Sequence, residues 1–179
     1  ACLRALQGAG VDMSTADSVG RTAAWTAAES GHEGCLRLLH GLGCDMGQPR
    51  NDGVTPAYVA AQEGHEGCLR LLHGFECDMG QPDKYGETPV NCASRYGQED
   101  VIRLLHEFGC DMCQPDNKGN TPVLSAAEAG HEGCLNALHD ILMDKENDEG
   151  FTPAYVAAAN GHEGVLRLLD IYGCDMRQQ

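Results

Sequence analysis

The sequence has few positive charges and no long apolar runs. Lysine and arginine together number 12 against 27 aspartate and glutamate residues, which gives a formal net charge of −15. Because such a chain repels polyanions, we expect no nucleic acid partner. The uninterrupted apolar stretches span only a few residues. A membrane-spanning helix needs far more, so we expect no direct insertion into a membrane.

The sequence also lacks the short motifs that mark common catalytic and metal sites. It contains no G-x-x-x-x-G-K-[ST] phosphate loop, no G-x-S-x-G nucleophile elbow and no H-E-x-x-H zinc motif. His32-Glu33 and its copies come nearest, but the second histidine is missing. We therefore predict no catalytic residue, no cofactor and no metal ligand, and we do not expect the chain to be an enzyme.

What the sequence has instead is a repeated unit. Its glycines and threonines recur every 33 residues at Gly20, Gly53, Gly86 and Gly119 and at Thr22, Thr55, Thr88 and Thr121, with Gly150 and Thr152 after a step of 31. The fullest copy, residues 51–82, reads N-D-G-V-T-P-A-Y-V-A-A-Q-E-G-H-E-G-C-L-R-L-L-H-G-F-E-C-D-M-G-Q-P. This period predicts a single domain over 1–179. Residues 1–15 form the second half of a truncated repeat, and 16–48, 49–81, 82–114, 115–145 and 146–179 are five further repeats.

The T-P, A-A, G-H, L-L and G-C-D-M elements recur in register, and together they resemble the ankyrin repeat over nearly the whole chain. The resemblance implies an all-α repeat solenoid in which each unit has a β-hairpin turn followed by two antiparallel helices. Within the second unit we expect Thr55 to cap the first helix, Pro56 to begin it and Gly64 to end it. Such short helices do not persist alone in water, so stacking must stabilise them.

Equivalent residues of stacked repeats form columns, and the cysteine columns indicate core positions. Valine at 101 and 165 alternates with Cys2, Cys35, Cys68 and Cys134. A thiol that valine can replace is interpreted as a core hydrophobe. Stacked repeats lie about 10 Å apart, whereas a disulfide needs Cα atoms within about 7 Å, so these thiols are expected to stay reduced. That favours the cytoplasm or another reducing intracellular compartment. Cys113 stands at a hairpin position that is glycine in other repeats and is expected to be exposed.

The histidines fall in two further columns, neither of which predicts a metal site. Gln98, a poor zinc ligand, shares a column with His32, His65, His131 and His162, and the resemblance implies that these side chains tie a loop to neighbouring backbone. The second column contains His40, His73, His106 and His139. We interpret it as a polar ladder that bonds along the stack. We hypothesise that protonation of these packed imidazoles loosens the stack as the pH falls through about 6.

Positions that vary between repeats predict the binding surface. They flank the hairpin glycine and lie near the end of each first helix, and the resemblance implies that they line a concave groove that grips partners. We predict the third repeat as the anchor because it offers tyrosine and arginine side chains, which dominate interface energies. The predicted contact residues are Arg21, Asp52, Val54, Glu63, Lys84, Tyr85, Glu87, Arg95, Tyr96, Lys118, Asn120 and Phe151. Trp25, Tyr58 and Tyr155 are expected to pack or bond within the framework instead.

These features predict a non-catalytic scaffold that holds another protein, and the acidic charge favours a basic partner or a place within a larger complex. Three alternatives stay open. The chain is the targeting or regulatory segment of a longer enzyme, such as a kinase or ubiquitin ligase, or it is an accessory subunit of a larger assembly. In the third, the repeats are themselves catalytic or metal-dependent.

Overall fold

The computed structural model describes residues 15–139 and 145–174, in which ten helices form five consecutive pairs. The first helices of the pairs are α1 (Ala23–Glu29), α3 (Pro56–Gln62), α5 (Pro89–Tyr96), α7 (Pro122–Ala129) and α9 (Pro153–Ala159). The second helices are α2 (Glu33–Gly41), α4 (Glu66–Gly74), α6 (Glu99–Glu107), α8 (Glu132–Ala137) and α10 (Glu163–Ile171). The truncated repeat predicted at 1–15 lies almost wholly outside the described residues.

The threonine that the repeat pattern marks caps each first helix, which begins at the next residue. The Oγ1 of Thr55 accepts a hydrogen bond of 3.0 Å from the backbone N–H of Tyr58, and Pro56 occupies the first helical position. Proline fits there because its missing N–H would have no helical partner. The helix stops at Gln62, and Gly64 follows in the left-handed region at φ 77°. The predicted start and end of this helix are confirmed.

Stacking of these helices builds the solenoid. Each first helix packs against the first helix of the next pair, and each second helix against the next second helix. Between them runs a column of leucines, each exposed by 1% or less, at Leu39, Leu72, Leu105, Leu138 and Leu169. Burial of one such side chain stabilises the fold by about 1.5–3 kcal/mol. The helices have only six to nine residues, so this packing between repeats supplies the stability that an isolated helix lacks.

The segments between pairs are tight turns, and the described residues contain no strand. Each turn bonds to the turn before it: the backbone N–H of Asn51 donates to the Val19 carbonyl (3.1 Å) and that of Lys84 to the Asp52 carbonyl (2.9 Å). The β-hairpin that the resemblance implies is therefore present only as a hydrogen-bonded turn. These bonds align the turn tips in one row along the stack.

The first polar column ties neighbouring repeats together, as expected. The Nε2 of His65 lies 3.1 Å from the backbone carbonyl of Glu29, and the Nε2 of Gln98 donates to the Gln62 carbonyl at 2.9 Å. His131 and His162 make the equivalent contacts with carbonyls of the preceding repeats. Glutamine thus reproduces the bond that the histidines make, which explains why it can stand in this column.

The second histidine column differs from the expected polar ladder. The imidazole of His40 stacks on the ring of Phe75 with centroids 3.8 Å apart, and His73 stacks on Phe108 at 4.0 Å. His40 and His73 therefore contact an aromatic ring of the next repeat, and the ring of His139 lies 6.0 Å from that of Tyr172 in a tilted arrangement. All four side chains of this column are exposed. The burial on which the pH hypothesis depended is absent.

The cysteine column is buried at Cys68 and Cys134, as expected, but Cys35 is only half-buried, and the buried Cys92 lies outside that column. Cys68, Cys92 and Cys134 are exposed by 1% or less, whereas Cys113 is exposed. Burial raises the pKa of Cys68 to about 11 and that of Cys92 and Cys134 to about 12. A thiol with a raised pKa carries little thiolate at neutral pH and reacts slowly.

We predict that iodoacetamide at about pH 7.5 alkylates Cys113 faster than Cys68, Cys92 or Cys134, because only Cys113 is exposed and the three others are held as buried thiols. Peptide mapping by mass spectrometry at successive times gives the rate at each site. Labelling in denaturant, where all four should react at similar rates, is the control. Equal rates in the native protein would contradict the predicted burial.

One residue has an unfavourable backbone conformation. Glu76 has φ 61°, whereas its equivalents Gly43, Gly109 and Gly173 adopt φ 77–80° as glycine readily does. We predict that Glu76→Gly raises the free energy of unfolding by about 1 kcal/mol, measured by urea denaturation. Gly109→Ala is the matched control. A Cβ there would meet no atom within 4 Å, so its expected loss of about 1 kcal/mol comes from the backbone alone. A destabilised Glu76→Gly variant would contradict the prediction.

Candidate recognition groove

A depression of about 650 Å³ lies between the third and fourth repeats, on the side that carries the turn tips and the first helices. Two turns and the helices α5 and α7 form its walls. We name it the repeat 3–4 groove and define it by its lining residues, Tyr85, Glu87, Arg95, Asp116, Asn117, Lys118, Asn120, Ser125, Glu128 and Ala129. Five of these, Tyr85, Glu87, Arg95, Lys118 and Asn120, are among the predicted contact residues.

A buried carboxylate lies at the base of the groove. Glu87 is exposed by 8%, and its Oε1 lies 2.9 Å from Nη2 of Arg95 as an ion pair. Among the described residues this oxygen accepts no hydrogen bond of good geometry. Burial raises the pKa of Glu87, although the Arg95 charge and a hydrogen bond from Tyr58 oppose the shift. The carboxylate is therefore poorly compensated in the fold.

The second repeat covers this carboxylate from below. Tyr58 is exposed by 6%, and burial raises its pKa, with smaller contributions from Cys92 and Glu87. The Sγ of Cys92 lies 3.9 Å from Oε1 of Gln62. Tyr58 thus belongs to the framework, as expected. Trp25 does too, since its Nε1 donates to the Val54 carbonyl at 3.1 Å.

The third repeat carries two exposed aromatic rings, Tyr85, which lines the groove, and Tyr96, which follows the lining residue Arg95. Tyr85 at the turn tip is 62% exposed, and Tyr96 at the end of α5 is 54% exposed. The Nζ of Lys84 lies over the Tyr85 ring, 4.8 Å from its centroid. These two tyrosines keep more than half of their surface available for contact.

The fourth turn fixes the opposite wall. Asp116 accepts hydrogen bonds from the backbone N–H of Lys118 (2.8 Å) and of Asn120 (2.9 Å). The Nδ2 of Asn120 also donates to Asp116, and its Oδ1 accepts from Asn147 of the next turn at 2.8 Å. Asn120 therefore has a structural role as well as a place in the groove, whereas the Lys118 side chain is exposed.

The remaining predicted contact residues lie outside this groove. Arg21 pairs with Asp17 at 2.8 Å, and Asp52 with Arg50, so both are engaged by near neighbours. Glu63 is exposed and accepts a hydrogen bond from Gln62. Val54 is only 7% exposed and packs in the core. The variable position after the turn glycine thus has a packing role in the second repeat.

Sequence reasoning missed one exposed aromatic side chain. Tyr155, expected in the framework, is 48% exposed and stacks on Phe151 with ring centroids 4.8 Å apart. Tyr58, at the equivalent position, is buried because Glu87 and Cys92 of the next repeat cover it. The stretch P-A-Y-V-A-A is identical in the two repeats. No local signal could have separated the two tyrosines.

The groove offers rings, a guanidinium group and ammonium groups on a rigid support, an arrangement suited to contact with another molecule. In the described residues, no three His, Cys, Asp or Glu side chains lie close enough together to hold a metal ion. Among the described helices, none combines the length and apolar character that a membrane span requires.

The stacked helix pairs and the groove on one side define a helical repeat protein of the recognition type. The family description for ankyrin repeats (3 copies) matches residues 1–79, 25–116, 67–142 and 104–179. The chain therefore belongs to the ankyrin-repeat family, whose members generally mediate protein–protein interaction and are typically non-catalytic. No curated protein matches the sequence.

We predict that Glu87→Gln raises the free energy of unfolding at neutral pH. A carboxyl group whose pKa is higher in the folded than in the unfolded state destabilises the fold once it is ionised. The gain should shrink as the pH falls through the pKa of Glu87, because the protonated wild-type side chain then resembles glutamine. Urea denaturation of both proteins at about pH 7 and about pH 4 measures the difference. Glu128→Gln, at an exposed site, is the control. A wild type more stable than Glu87→Gln at neutral pH would show that the Arg95 pair outweighs burial.

Proposed function

We propose that the chain is a non-catalytic scaffold that holds another protein against its turn tips and first helices, with the repeat 3–4 groove as the anchor. The general function, protein–protein interaction, is that of the ankyrin-repeat family. The observation that carries the anchor is the exposure of Tyr85 and Tyr96 beside the groove. Large aromatic side chains at the centre of an interface contribute most of the binding energy, so a chain that keeps two of them in water gains most by covering them.

The rigidity of the groove supports the same proposal. Its walls are helices held by buried leucines, and its turns are held by backbone bonds to their neighbours. A partner that binds to such a surface loses its own freedom but does not have to order the scaffold. Arg21, Asp52, Glu63 and Phe151 extend the proposed contact along the turn tips.

We infer the charge of the partner from the net charge of the chain, and the cellular compartment from its cysteines. The net charge of −15 favours a partner with a basic surface outside the groove, or a basic subunit of a larger complex. The buried thiols favour the cytoplasm or another reducing compartment, because oxidation of a core cysteine would require the packed repeats to open.

We predict that Tyr85→Ala combined with Tyr96→Ala weakens partner binding by at least about 2 kcal/mol. The partner is first captured from cell extract with a photo-crosslinking benzoylphenylalanine at position 85, and its affinity for both proteins is then measured by calorimetry. The same crosslinker at Arg103, an exposed residue of α6, is the control and should capture nothing in common.

The two substitutions should leave folding intact. Both side chains are more than half exposed, so the free energy of unfolding is expected to change by no more than about 0.5 kcal/mol. Unchanged affinity in the double variant would show that these tyrosines of the third repeat are not part of the binding surface, whatever the partner is.

A further inference from the structure

We propose that the repeat 3–4 groove receives an acidic side chain of the partner, on a short segment that also places an apolar side chain against Tyr85 or Tyr96. The inference rests on the proposed function and specifies its chemistry. It departs from the expectation based on net charge, because the residues exposed at the groove carry the opposite sign from the chain as a whole.

The lysines at the third and fourth turn tips are not paired in the way that the arginines of the second helices are. Three arginines of the second helices pair with a glutamate one turn away, as Arg37 does with Glu33 at 3.0 Å, and Arg70 lies 3.8 Å from Glu107 of the next second helix. Arg103 and Arg167 repeat the pairing of Arg37. Lys84 and Lys118 have no carboxylate within ion-pair distance in the described residues; Lys84 instead lies over the Tyr85 ring. These two lysines stand at the third and fourth turn tips, on either side of the groove.

Most carboxylates near the groove are engaged within the fold. Asp83 accepts the backbone N–H of Tyr85 at 2.8 Å and that of Glu87 at 3.0 Å, which directs its charge into the turn. Asp116 does the same in the fourth turn. Glu87 is buried beneath Arg95. Glu128 is the one fully exposed carboxylate among the lining residues.

Among the lining residues the exposed charges are therefore the cations Arg95 and Lys118 against the anion Glu128, and Lys84, next to Tyr85 at the third turn tip, adds a further cation close to the groove. The fifth turn has the reverse balance, with Glu146, Asp148 and Glu149 exposed beside a single lysine. The cations of the first and second turns, Arg21 and Arg50, are paired with Asp17 and Asp52, so the unpaired lysines of the first four turns stand at the third and fourth.

Charges act on the groove over a short range. At physiological ionic strength the Debye length is about 8 Å, so carboxylates that lie farther away than this act weakly on a group inside the groove. Cations at its edge act on that group directly, and Arg95 has further N–H donors for a carboxylate besides the one directed at Glu87. The net charge influences approach, whereas the local charges decide what can stay bound.

The test is a selection of short linear peptides from a displayed random library on the whole chain. We expect enrichment of aspartate or glutamate next to an apolar residue. One enriched peptide, synthesised with a fluorescent label, should then bind the Lys84→Glu, Lys118→Glu double variant at least about tenfold more weakly by fluorescence anisotropy. Thermal melting followed by circular dichroism checks that the variant folds. Arg70→Glu reverses an exposed charge on α4, away from the groove, and should leave the affinity unchanged.

The outcomes separate this inference from the proposed function. Peptides that lose binding in the Tyr85→Ala, Tyr96→Ala variant but contain no acidic residue, or that bind the double lysine variant equally well, overturn the acidic preference alone. Peptides that bind equally to the tyrosine variant overturn the groove as the anchor. A library that yields no binder counts against both.

Discussion

Contact between neighbouring repeats is the interaction on which the rest of the structure depends. Helices of six to nine residues gain too few hydrogen bonds to offset the entropy of forming them, so they persist only where leucines such as Leu72 and Leu105 are buried between pairs. That packing uses the inner faces of the helices and the backbone of the turns. The turn tips and the outer ends of the first helices contribute little to it, which leaves their side chains available for recognition.

The framework could be predicted from the sequence because its causes are local and repeat five times. The cap at Thr55, the proline after it and the left-handed Gly64 each follow from backbone chemistry within a few residues. The loop histidine column was equally clear, because Gln98 stands in it and can make the same bond. The second histidine column was misread, since the stacking partner of His40 lies 35 residues away at Phe75.

The surface was harder to predict because exposure depends on the neighbouring repeat. Tyr58 and Tyr155 stand in identical local sequence, yet the first lies beneath Glu87 and the second is half exposed. Variation between repeats marked Val54 and Glu87 as surface, whereas both side chains are buried. A column that varies reports only that no single residue is required. It does not distinguish a position facing solvent from one that adapts to a different neighbour in each repeat.

Glu87 has both a structural position in the core and a position at the proposed binding surface. A buried carboxylate with a raised pKa is a cost that a purely structural residue would avoid, since valine fills the equivalent place in the second repeat. The ion pair holds Arg95 at the edge of the groove, where nearly half of its side chain stays exposed. A guanidinium group fixed in this way loses less entropy when a partner binds than one that moves freely. The raised pKa of Glu87 thus predicts that the fold gives up some stability at this buried site, while the ion pair holds a cation at the surface.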